Sequence, residues 1–470
     1  MKKKLLLINV VDTASYAGAK NVYPNRQLRV WQPVQLGIIA SLTPDDWGIE
    51  ILDENFEIFH YQNADLVGVS SFTPSINEAY RIAKIYRENN TPTIIGGVHA
   101  SLLPDEALQY FDTVAVGKAE GLWADVIRDF NNNSLKRIYY SNENAEICFK
   151  PDRSVFKKYN YPSASIISSL GCTNNCFYCN IPFLLNHKYY LRDVDEIINE
   201  INQVEQEYFL FNDDNFFGSN DVHRARIVTL LTKMISLKIK KKWFCITSIN
   251  IASHPEILNL AHRAGCVIAF IGMESTNMEE LKQYNKNENF NFVKDNYKTA
   301  IDTFHKNKIA VWGSFICGGI EETIDTMILK GITLRKMNLD NANLGFLTPL
   351  PKTVFYKELE NKKLLTYTLY PKDWIYFNFT TLTYKSKYGN TSDFHNAYQK
   401  AISIIYSPYK GLIKNYRIRK FFSTLFNTKS IKVAVYSSYL MSLWNESMFN
   451  SRFFKILFKL FIHNKRKRTN

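Results

Sequence analysis

A chain of 470 residues with 46% hydrophobic and 22% charged residues is expected to form two or three globular domains, which excludes a disordered or fibrous protein. The net charge is +14, and nearly all of it lies in residues 405–470, which hold fourteen Lys or Arg residues against one acid. Seven unevenly placed cysteines and the lack of any apolar run of about 18 residues predict a reducing, cytoplasmic location without a membrane-spanning helix.

Strand and helix signals alternate through residues 1–135. Apolar runs predict strands over residues 5–10, 48–53, 64–71, 93–97 and 113–117, and helices are predicted over residues 33–42 and 75–89. The first run is too short for a signal peptide, and Asp12 interrupts it. This alternation predicts a doubly wound, Rossmann-like parallel sheet in an α/β protein.

Ligands of such sheets bind beyond the carboxyl ends of the strands. A nucleotide-binding G-x-G-x-x-G run does not follow the first strand. Glycines and small polar residues at this edge could let a ligand approach the backbone, or they could simply form turns, and composition does not decide between the two. The candidates at this edge are Ser70, Ser71, Thr73, Gly96, Gly97, His99, Gly117 and Glu120.

Residues 136–162 are polar and are predicted to be a linker. From residue 163 to 356, βα signals resume, with a helix over 194–208 and strands over 208–216, 243–250, 266–275, 309–319 and 341–347. Together with the strand before the cysteines, these units predict an open, partial (β/α)6 barrel. Asp213, Asp214 and Glu274 end predicted strands, where barrel enzymes hold their reactive groups, although a surface turn would also account for the aspartates.

Three cysteines with the spacing C-x3-C-x2-C follow a predicted strand, namely Cys172, Cys176 and Cys179. Thiolates at this spacing can each bind one iron of a four-iron cluster and leave the fourth iron open. A structural zinc site needs a fourth ligand, and the nearest candidate, His187, lies eight residues further on without a partner. A disulfide is not expected without a secretory signal. The spacing therefore favours a [4Fe-4S] cluster.

The cysteine motif, with Tyr178 before its last cysteine, resembles that of the radical S-adenosylmethionine (SAM) superfamily. Residues 33–42, 67–74, 96–104 and 116–123 resemble the cobalamin-binding domain of one subgroup of that family. Further matches are the two aspartates at 213–214, G-x-E-S around Glu274, G-x-F-x-x-G from Gly313 and T-P-x-P-x-T over 348–353. The resemblance extends over roughly residues 1–380.

The resemblance implies that the three cysteines hold a [4Fe-4S] cluster whose open iron binds SAM, and that the edge residues of the first domain bind cobalamin. The D-x-H-x-x-G run that supplies the lower cobalt ligand in many relatives is absent, and His99 is the one histidine at the predicted edge. The residues that the resemblance, together with their places at strand ends, assigns to SAM are Asp213, Asp214, Ser248, Glu274 and Ser314.

The implied activity is methylation of an unactivated carbon in a small molecule or a lipid or isoprenoid, through a 5'-deoxyadenosyl radical and methylcobalamin. An electron donor such as flavodoxin or ferredoxin would reduce the cluster. Ring formation or rearrangement of the carbon skeleton stays open. Two hypotheses from other classes also stay open, namely a non-catalytic cobalamin or SAM sensor and an RNA-binding modification protein. A methylthiotransferase is not expected, because no cysteine precedes Cys148.

Residues 357–470 are predicted to form an aromatic and basic, mostly helical region. Aromatic residues between 367 and 379 could line a substrate cleft or pack in a core. Basic and apolar residues alternate over 414–422 and 453–468, a pattern typical of amphipathic helices at anionic membrane surfaces. A peripheral membrane contact is therefore expected, with a solvated tail as the plain alternative. Nucleic-acid binding is less expected.

Overall fold

Two parallel sheets dominate the computed structural model, which describes residues 2–10, 31–142, 150–161 and 163–405. Within these ranges each of the two sheets has six strands, and a two-stranded antiparallel hairpin completes the β structure. The α/β fold class with an N-terminal doubly wound sheet is confirmed.

The first sheet has the strand order β2-β1-β3-β4-β5-β6, with all pairs parallel. The order reverses between β1 and β3, which is where ligands of doubly wound sheets bind. Its strands are β1 (Lys3–Asn9), β2 (Trp47–Asp53), β3 (Leu66–Ser70), β4 (Thr93–Gly96), β5 (Thr113–Val116) and β6 (Ile138–Tyr140). Its helices are α1 (Val34–Leu42), α2 (Ile76–Glu88), α3 (Val98–Leu102), α4 (Pro104–Ala107) and α5 (Trp123–Asn131).

Both faces of this sheet are buried, which explains why β1 is a continuous apolar run. Successive side chains of a strand point to opposite faces. Leu5 and Leu7 accordingly pack into a core with α1 and α5. Leu6 and Ile8 join a second core with α2 that continues through the second sheet. The two sheets therefore share one apolar interior.

The linker predicted over residues 136–162 differs from what the structure shows. Ile138–Tyr140 forms β6, parallel to β5, and the Tyr139 ring is buried in the core beneath α5. The first domain therefore continues past residue 135. A strand of three residues between polar segments gives too short a pattern to be recognised in the sequence.

The second sheet has the order β14-β13-β12-β11-β10-β7, and all of its described pairs are parallel. β7 and β14 stand at opposite edges, so this is the predicted open, partial barrel. Its strands are β7 (Ala164–Ile166), β10 (Tyr208–Phe211), β11 (Lys242–Thr247), β12 (Cys266–Glu274), β13 (Ala310–Cys317) and β14 (Asn341–Phe346), and the hairpin is β8 (Ser169–Leu170) with β9 (Tyr190–Leu191).

Side-chain caps start several helices of this domain. Asp193 accepts hydrogen bonds from the backbone at the start of α7, Asn220 does so for α8, and Thr323 for α13. The helix predicted over 194–208 ends at Gln203, five residues early. The helices are α6 (Ile181–Leu184), α7 (Val194–Gln203), α8 (Asp221–Ser236), α9 (Pro255–Arg263), α10 (Met278–Gln283), α11 (Phe290–Val293), α12 (Lys298–Lys306), α13 (Ile324–Lys336), α14 (Val354–Asn361) and α15 (Thr391–Ile405).

The segment after the second sheet returns to the first domain. The 3-10 helix Lys372–Tyr376 places the buried Trp374 ring so that its Nε1 donates to both carboxylate oxygens of Glu106, at 3.1 and 2.9 Å. α15 then packs against α13, where a Cβ on Gly331 would lie 2.8 Å from the Ala401 Cα. Core packing thus accounts for Trp374 among the aromatic residues predicted here.

The predicted amphipathic segments over 414–422 and 453–468 lie outside the described residues. In the part of the chain that the structure does describe, no helix combines the length and the apolar character needed to cross a bilayer.

Candidate active site

The cysteine motif lies on a loop enclosed by the β8–β9 hairpin. The two strands pair antiparallel, and the residues between them include all three cysteines. Gly171 opens the loop with a φ of +100°, and a Cβ at this position would lie 2.5 Å from the carbonyl oxygen of Lys188. Only glycine fits this turn without strain, so the residue before Cys172 determines where the loop leaves β8.

Two consecutive aspartates after β10 hold the start of this loop. Asp213 Oδ1 accepts from the Ser168 backbone N–H at 2.8 Å, and its Oδ2 accepts from the hydroxyls of Ser168 and Ser169 at 2.5 and 2.7 Å. Asp214 accepts from the Gly171 N–H at 2.9 Å. Burial raises the pKa of Asp213 to about 6. Both residues were predicted to border SAM, which stays a prediction, and their hydrogen bonds in the structure position the cysteine loop.

The far side of the loop is attached to segments after β12 and β14. Asn285 Nδ2 donates to the carbonyl oxygen of Asn175 at 3.0 Å, and the Phe355 N–H donates to that of Phe177 at 3.2 Å. The ring of Phe177 is nearly parallel to that of Tyr284, with centroids 5.8 Å apart. The loop is therefore supported from both halves of the second sheet.

The three thiols are free cysteines, with Cys176 buried and Cys172 and Cys179 half-buried. Burial raises the pKa of all three, that of Cys176 to about 11 and that of Cys179 to about 12. A bound metal ion supplies the positive charge that deprotonates such thiols. Within the described ranges, no three His, Cys, Asp or Glu side chains are arranged to hold a single metal ion. Three unpaired thiols on one supported loop fit an iron-sulfur cluster, in which each thiolate has its own iron.

Next to the thiols lies a buried ionic cluster that comprises Lys286, Glu274 and Glu288. The Lys286 ammonium lies 3.0 Å from Glu288 Oε1 and 3.6 Å from Glu274 Oε1. Asn174, inside the cysteine loop, donates to Glu288 at 2.5 Å and to Ser248 Oγ at 3.2 Å. Burial alone would lower the pKa of Lys286, but Glu274, Cys176 and Glu288 raise it well above its usual value. This lysine is therefore charged.

Glu274 reaches this cluster through an irregularity at the end of β12. The pairing of β12 with β13 shifts register between Gly272 and Glu274, and Glu274 has a φ of +62°, unusual for a side chain of its size. A Cβ on Gly272 would lie 2.6 Å from Glu274 Oε1, so the glycine makes room for the carboxylate. Ser314, another predicted SAM neighbour, pairs with Gly272 in the adjacent strand and is half-buried.

The structure thus brings together the cysteines, Ser248 and Glu274, with Ser314 on the next strand. It also adds groups that the sequence did not reveal. Lys286 and Glu288 follow α10 in a polar stretch that resembles an ordinary surface turn. Asn174 lies within the three-residue spacing between Cys172 and Cys176, where the motif specifies no residue type. One indication of this cluster was available in the sequence, namely a lysine that lies between acidic residues shortly after the G-x-E-S segment.

The carboxyl edge of the first sheet carries two glycines in conformations that suit glycine. Gly97 has a φ of +96°, and a Cβ there would lie 3.0 Å from the Ser71 carbonyl oxygen. Gly117 has a φ of +93°, and its N–H donates to Ser101 Oγ at 3.0 Å. Ser71 is buried and bonds to Ser75 Oγ at 2.9 Å. The predicted edge residues that remain at least partly accessible are Ser70, Gly96, Gly97, Gly117 and Glu120.

His99 lies beneath this edge rather than on it. Its side chain is fully buried, with Nδ1 3.2 Å from Thr73 Oγ1 and Nε2 3.1 Å from Glu106 Oε1. The Trp374 ring packs edge-on against the imidazole at 5.5 Å. Both ring nitrogens have protein partners, so this arrangement does not favour a cobalt ligand. That role stays a prediction, and the same contacts keep the Thr73 hydroxyl from an incoming ligand.

Comparison with known families matches residues 166–329 to the radical SAM superfamily and residues 31–127 to the B12 binding domain. The chain therefore contains a radical SAM domain and a B12 binding domain. The predicted subgroup is also confirmed, because the B12 binding domain precedes the radical SAM domain. The predicted [4Fe-4S] cluster, SAM and cobalamin are the cofactors of these two families.

This protein has several methyltransferases among its curated relatives, and also a cyclase, the anaerobic magnesium-protoporphyrin IX monomethyl ester cyclase of Rubrivivax gelatinosus, at 24% identity over 335 residues. It is 26% identical over 349 residues to bacteriochlorophyllide d C-12(1)-methyltransferase of Chlorobaculum tepidum, covering 71% of this chain and 75% of the relative. It is 25% identical over 387 residues to hopanoid C-2 methylase of Rhodopseudomonas palustris, covering 78% and 71%. These similarities support an enzyme and, in particular, a C-methyltransferase.

A solved structure shares the fold. The cobalamin-dependent SAM radical enzyme OxsB, with aqua-cobalamin and SAM bound, superposes with a TM-score of 0.68 at 13% sequence identity, covering 94% of this chain and 72% of OxsB. The similarity covers both sheets and the segment that follows them, so the two proteins share the same order of domains.

Proposed function

We propose that this radical SAM protein is a cobalamin-dependent methyltransferase that methylates an unactivated carbon of a small molecule. The observation that carries the proposal is a contact between the carboxyl edge of the B12 binding sheet and the hairpin around the cysteine loop. Lys118, at the carboxyl edge of the B12 binding sheet, lies 3.8 Å from the ring centroid of Tyr190, in the hairpin that encloses the cysteine loop. Groups bound at the two edges would therefore be neighbours, as a transfer between them requires.

Cys172, Cys176 and Cys179 would hold the cluster. When bound, the cluster and SAM supply a radical that removes a hydrogen atom from the substrate, and cobalamin supplies the methyl group. A carbon radical is needed because such a C–H bond is not acidic enough for the bases that proteins contain. Reduction of the cluster requires an electron donor, for which flavodoxin or ferredoxin is our proposal.

The residues beside the thiols have the chemistry to receive SAM. Glu274 and the Ser248 hydroxyl offer acceptors for an ammonium group or for ribose hydroxyls, and charged acceptors make the strongest such hydrogen bonds. Lys286 holds Glu274 and Glu288 in place through contacts of 3.6 and 3.0 Å. Asp213 and Asp214 act one step away in this proposal, because their hydrogen bonds go to Ser168, Ser169 and Gly171.

For the substrate, we propose a large, mainly apolar ring compound. The relatives named above act on a bacteriochlorophyllide and on a hopanoid. In this chain, three phenylalanines are each 50% exposed, and each lies close to the carboxyl end of a strand or to the cysteine loop. Phe72 follows β3, Phe183 lies on α6 just after the cysteine loop, and Phe379 accepts a backbone hydrogen bond from the end of β14. Exposed aromatic rings at such places suit a ligand with apolar faces.

Anaerobic reconstitution tests the proposed function directly. Full-length protein would be supplied with iron, sulfide and hydroxocobalamin, and then with SAM, a reductant and candidate ring compounds. Mass spectrometry should detect 5'-deoxyadenosine, S-adenosylhomocysteine and a product heavier by one methylene unit. A Cys172/Cys176/Cys179→Ala variant should give none of these, whereas Cys245→Ala, which removes a buried thiol of β11, should retain them. Formation of 5'-deoxyadenosine without any methylated product from any compound would contradict methyl transfer.

The basic C-terminal segment keeps its proposed role at a membrane surface, and a cytoplasmic location stays part of that proposal. Residues 405–470 carry a net charge of +13, which anionic lipid would attract. The test is pelleting with liposomes of anionic and of neutral lipid, using the full chain and a variant without residues 451–470. Unchanged pelleting of the shortened variant would contradict the proposal.

A further inference from the structure

Lys118 has a buried ammonium group that makes no hydrogen bond to the residues that the structure describes. Its Nζ is inaccessible to solvent and has no hydrogen-bond partner among the described residues. The Nζ lies 3.8 Å from the ring centroid of Tyr190. A cation–π contact of this kind is attractive, but an ammonium group has three donors, and desolvating them without acceptors costs more than the contact contributes.

The turn that carries Lys118 is fixed on both sides. Before it, Gly117 has a φ of +93°, and its N–H donates to Ser101 Oγ at 3.0 Å. After it, a Cβ on Gly121 would lie 2.3 Å from Ser141 Oγ and 2.7 Å from the backbone N of Asn142, so this backbone packs tightly against the segment after β6. The lysine is therefore presented on a rigid turn at the carboxyl edge of the B12 binding sheet.

From this turn the Lys118 side chain crosses to the other domain. Tyr190 belongs to β9, which pairs with β8 at the start of the cysteine loop. A four-carbon lysine chain normally extends until its ammonium group reaches water. Here the ammonium stays at the junction of the two domains. The carboxylate nearest in sequence, Glu120, attracts it electrostatically, but no described residue accepts a hydrogen bond from it. A molecule bound at this edge would supply an acceptor.

We propose that Lys118 Nζ donates a hydrogen bond to an oxygen of the bound corrinoid, an inference that rests on the proposed function. The rim of a corrin carries amide carbonyl oxygens, and cobalamin adds a phosphate in its nucleotide tail. An ammonium group suits either acceptor. The cation–π contact with Tyr190 orients the lysine for this bond in the absence of other partners.

The test measures corrinoid binding rather than turnover. Full-length protein with its reconstituted cluster would be titrated with hydroxocobalamin and, separately, with cobinamide, which lacks the phosphate and the nucleotide, and bound corrinoid would be quantified by equilibrium dialysis. Lys118→Met keeps an unbranched four-atom stem and removes the charged ammonium group. It should weaken cobalamin binding by about tenfold to hundredfold, as expected for one lost hydrogen bond to a charged group.

Two further variants control for folding and for general charge. Lys118→Arg keeps a cationic donor and should bind cobalamin within about threefold of the wild type, since one charge-assisted bond is retained. Lys84→Met removes an exposed lysine of α2 in the same domain and should leave binding unchanged. Iron content after reconstitution and the far-ultraviolet circular dichroism spectrum should match the wild type in every variant.

The outcomes distinguish a phosphate acceptor from an amide oxygen. They also distinguish a failure of the Lys118 inference from a failure of the proposed function. Weakened binding of cobalamin alone supports the phosphate as acceptor, and equal weakening for cobinamide supports an amide oxygen. Wild-type affinity in Lys118→Met, or loss of affinity in Lys118→Arg with the fold intact, overturns the inference and leaves the proposed function standing. Failure of the wild-type protein to bind any corrinoid overturns both.

Discussion

Replacement of Lys286 by methionine tests whether the ionic cluster beside the cysteines depends on one buried positive charge. The side chains of Lys286, Glu274 and Glu288 are 8, 12 and 13% exposed, so water does little to screen them. Removing one partner from such a cluster costs about 3–5 kcal/mol, because the remaining charges stay buried without compensation. Asn174 still donates to Glu288, and burial already raises the pKa of Glu274, which eases its protonation. We therefore expect a loss near the lower end, about 3 kcal/mol.

The assay is urea unfolding of the iron-free protein under anaerobic, reducing conditions. Lys282→Met is the matched control, because it removes the same side chain four residues earlier from an exposed pair with Glu279 at 2.7 Å. Exposed pairs contribute about 0–1 kcal/mol, so this variant should be close to the wild type.

Equal unfolding free energies for Lys286→Met and Lys282→Met would refute the reasoning. A second arm identifies the cause. If uncompensated charge produces the loss, adding Glu288→Gln to Lys286→Met should recover about half of it, because the buried like charges are then reduced to one. A double variant no more stable than Lys286→Met would point to lost packing instead.

Three further predictions concern the supports of the site. Gly171→Ala should lower the iron bound on reconstitution by more than half, since its Cβ would lie 2.5 Å from the Lys188 carbonyl oxygen. The control is Gly48→Ala, whose Cβ would lie 3.8 Å from the nearest atom and which should bind iron normally. Equal iron content in the two variants would contradict this prediction. Asp213→Ala should be less stable than the wild type, and the gap should be about 1 kcal/mol wider at pH 5 than at pH 7.5 in urea unfolding. The pKa of Asp213 is raised to about 6 when folded, so its protonation favours the fold below that pH and the contribution is lost as the pH rises; a gap that narrows at pH 5 would count against it. Trp374→Phe should cost about 1–2 kcal/mol through the bond to Glu106, and Trp312→Phe, whose Nε1 has no partner among the described residues, should cost less; the reverse order would exclude the bond as the cause.

Most of the fold could be predicted from the sequence because its strands are unusually clear. The strands that become β1, β4 and β5 are apolar runs followed by turn residues, and the structure places each of them within about two residues of its prediction. The exceptions have physical reasons. β6 is three residues long, and α7 ends at Gln203 without glycine or proline to mark its end.

The candidate site was predictable only in part. The cysteine spacing is a local signal, so the loop could be located from the sequence alone. Hydrogen bonds between distant residues are not local, and they decide the roles of Asp213, whose partners are 45 and 44 residues away, and of Glu288, which meets Asn174 at a separation of 114 residues. His99 illustrates the same limit, because its burial and its partner Glu106 depend on the packing of α3 against α4.

The bond between Trp374 and Glu106 has a consequence for biosynthesis. The two residues are 268 positions apart, so at about 5–20 residues per second the ribosome adds the tryptophan roughly 13 to 54 s after the glutamate. During that interval the nascent first domain can form its sheet, but the Trp374 ring is not yet present to pack on His99 and to donate to Glu106. A premature stop before residue 374 would leave the first domain without the Trp374 ring that packs on His99 and donates to Glu106.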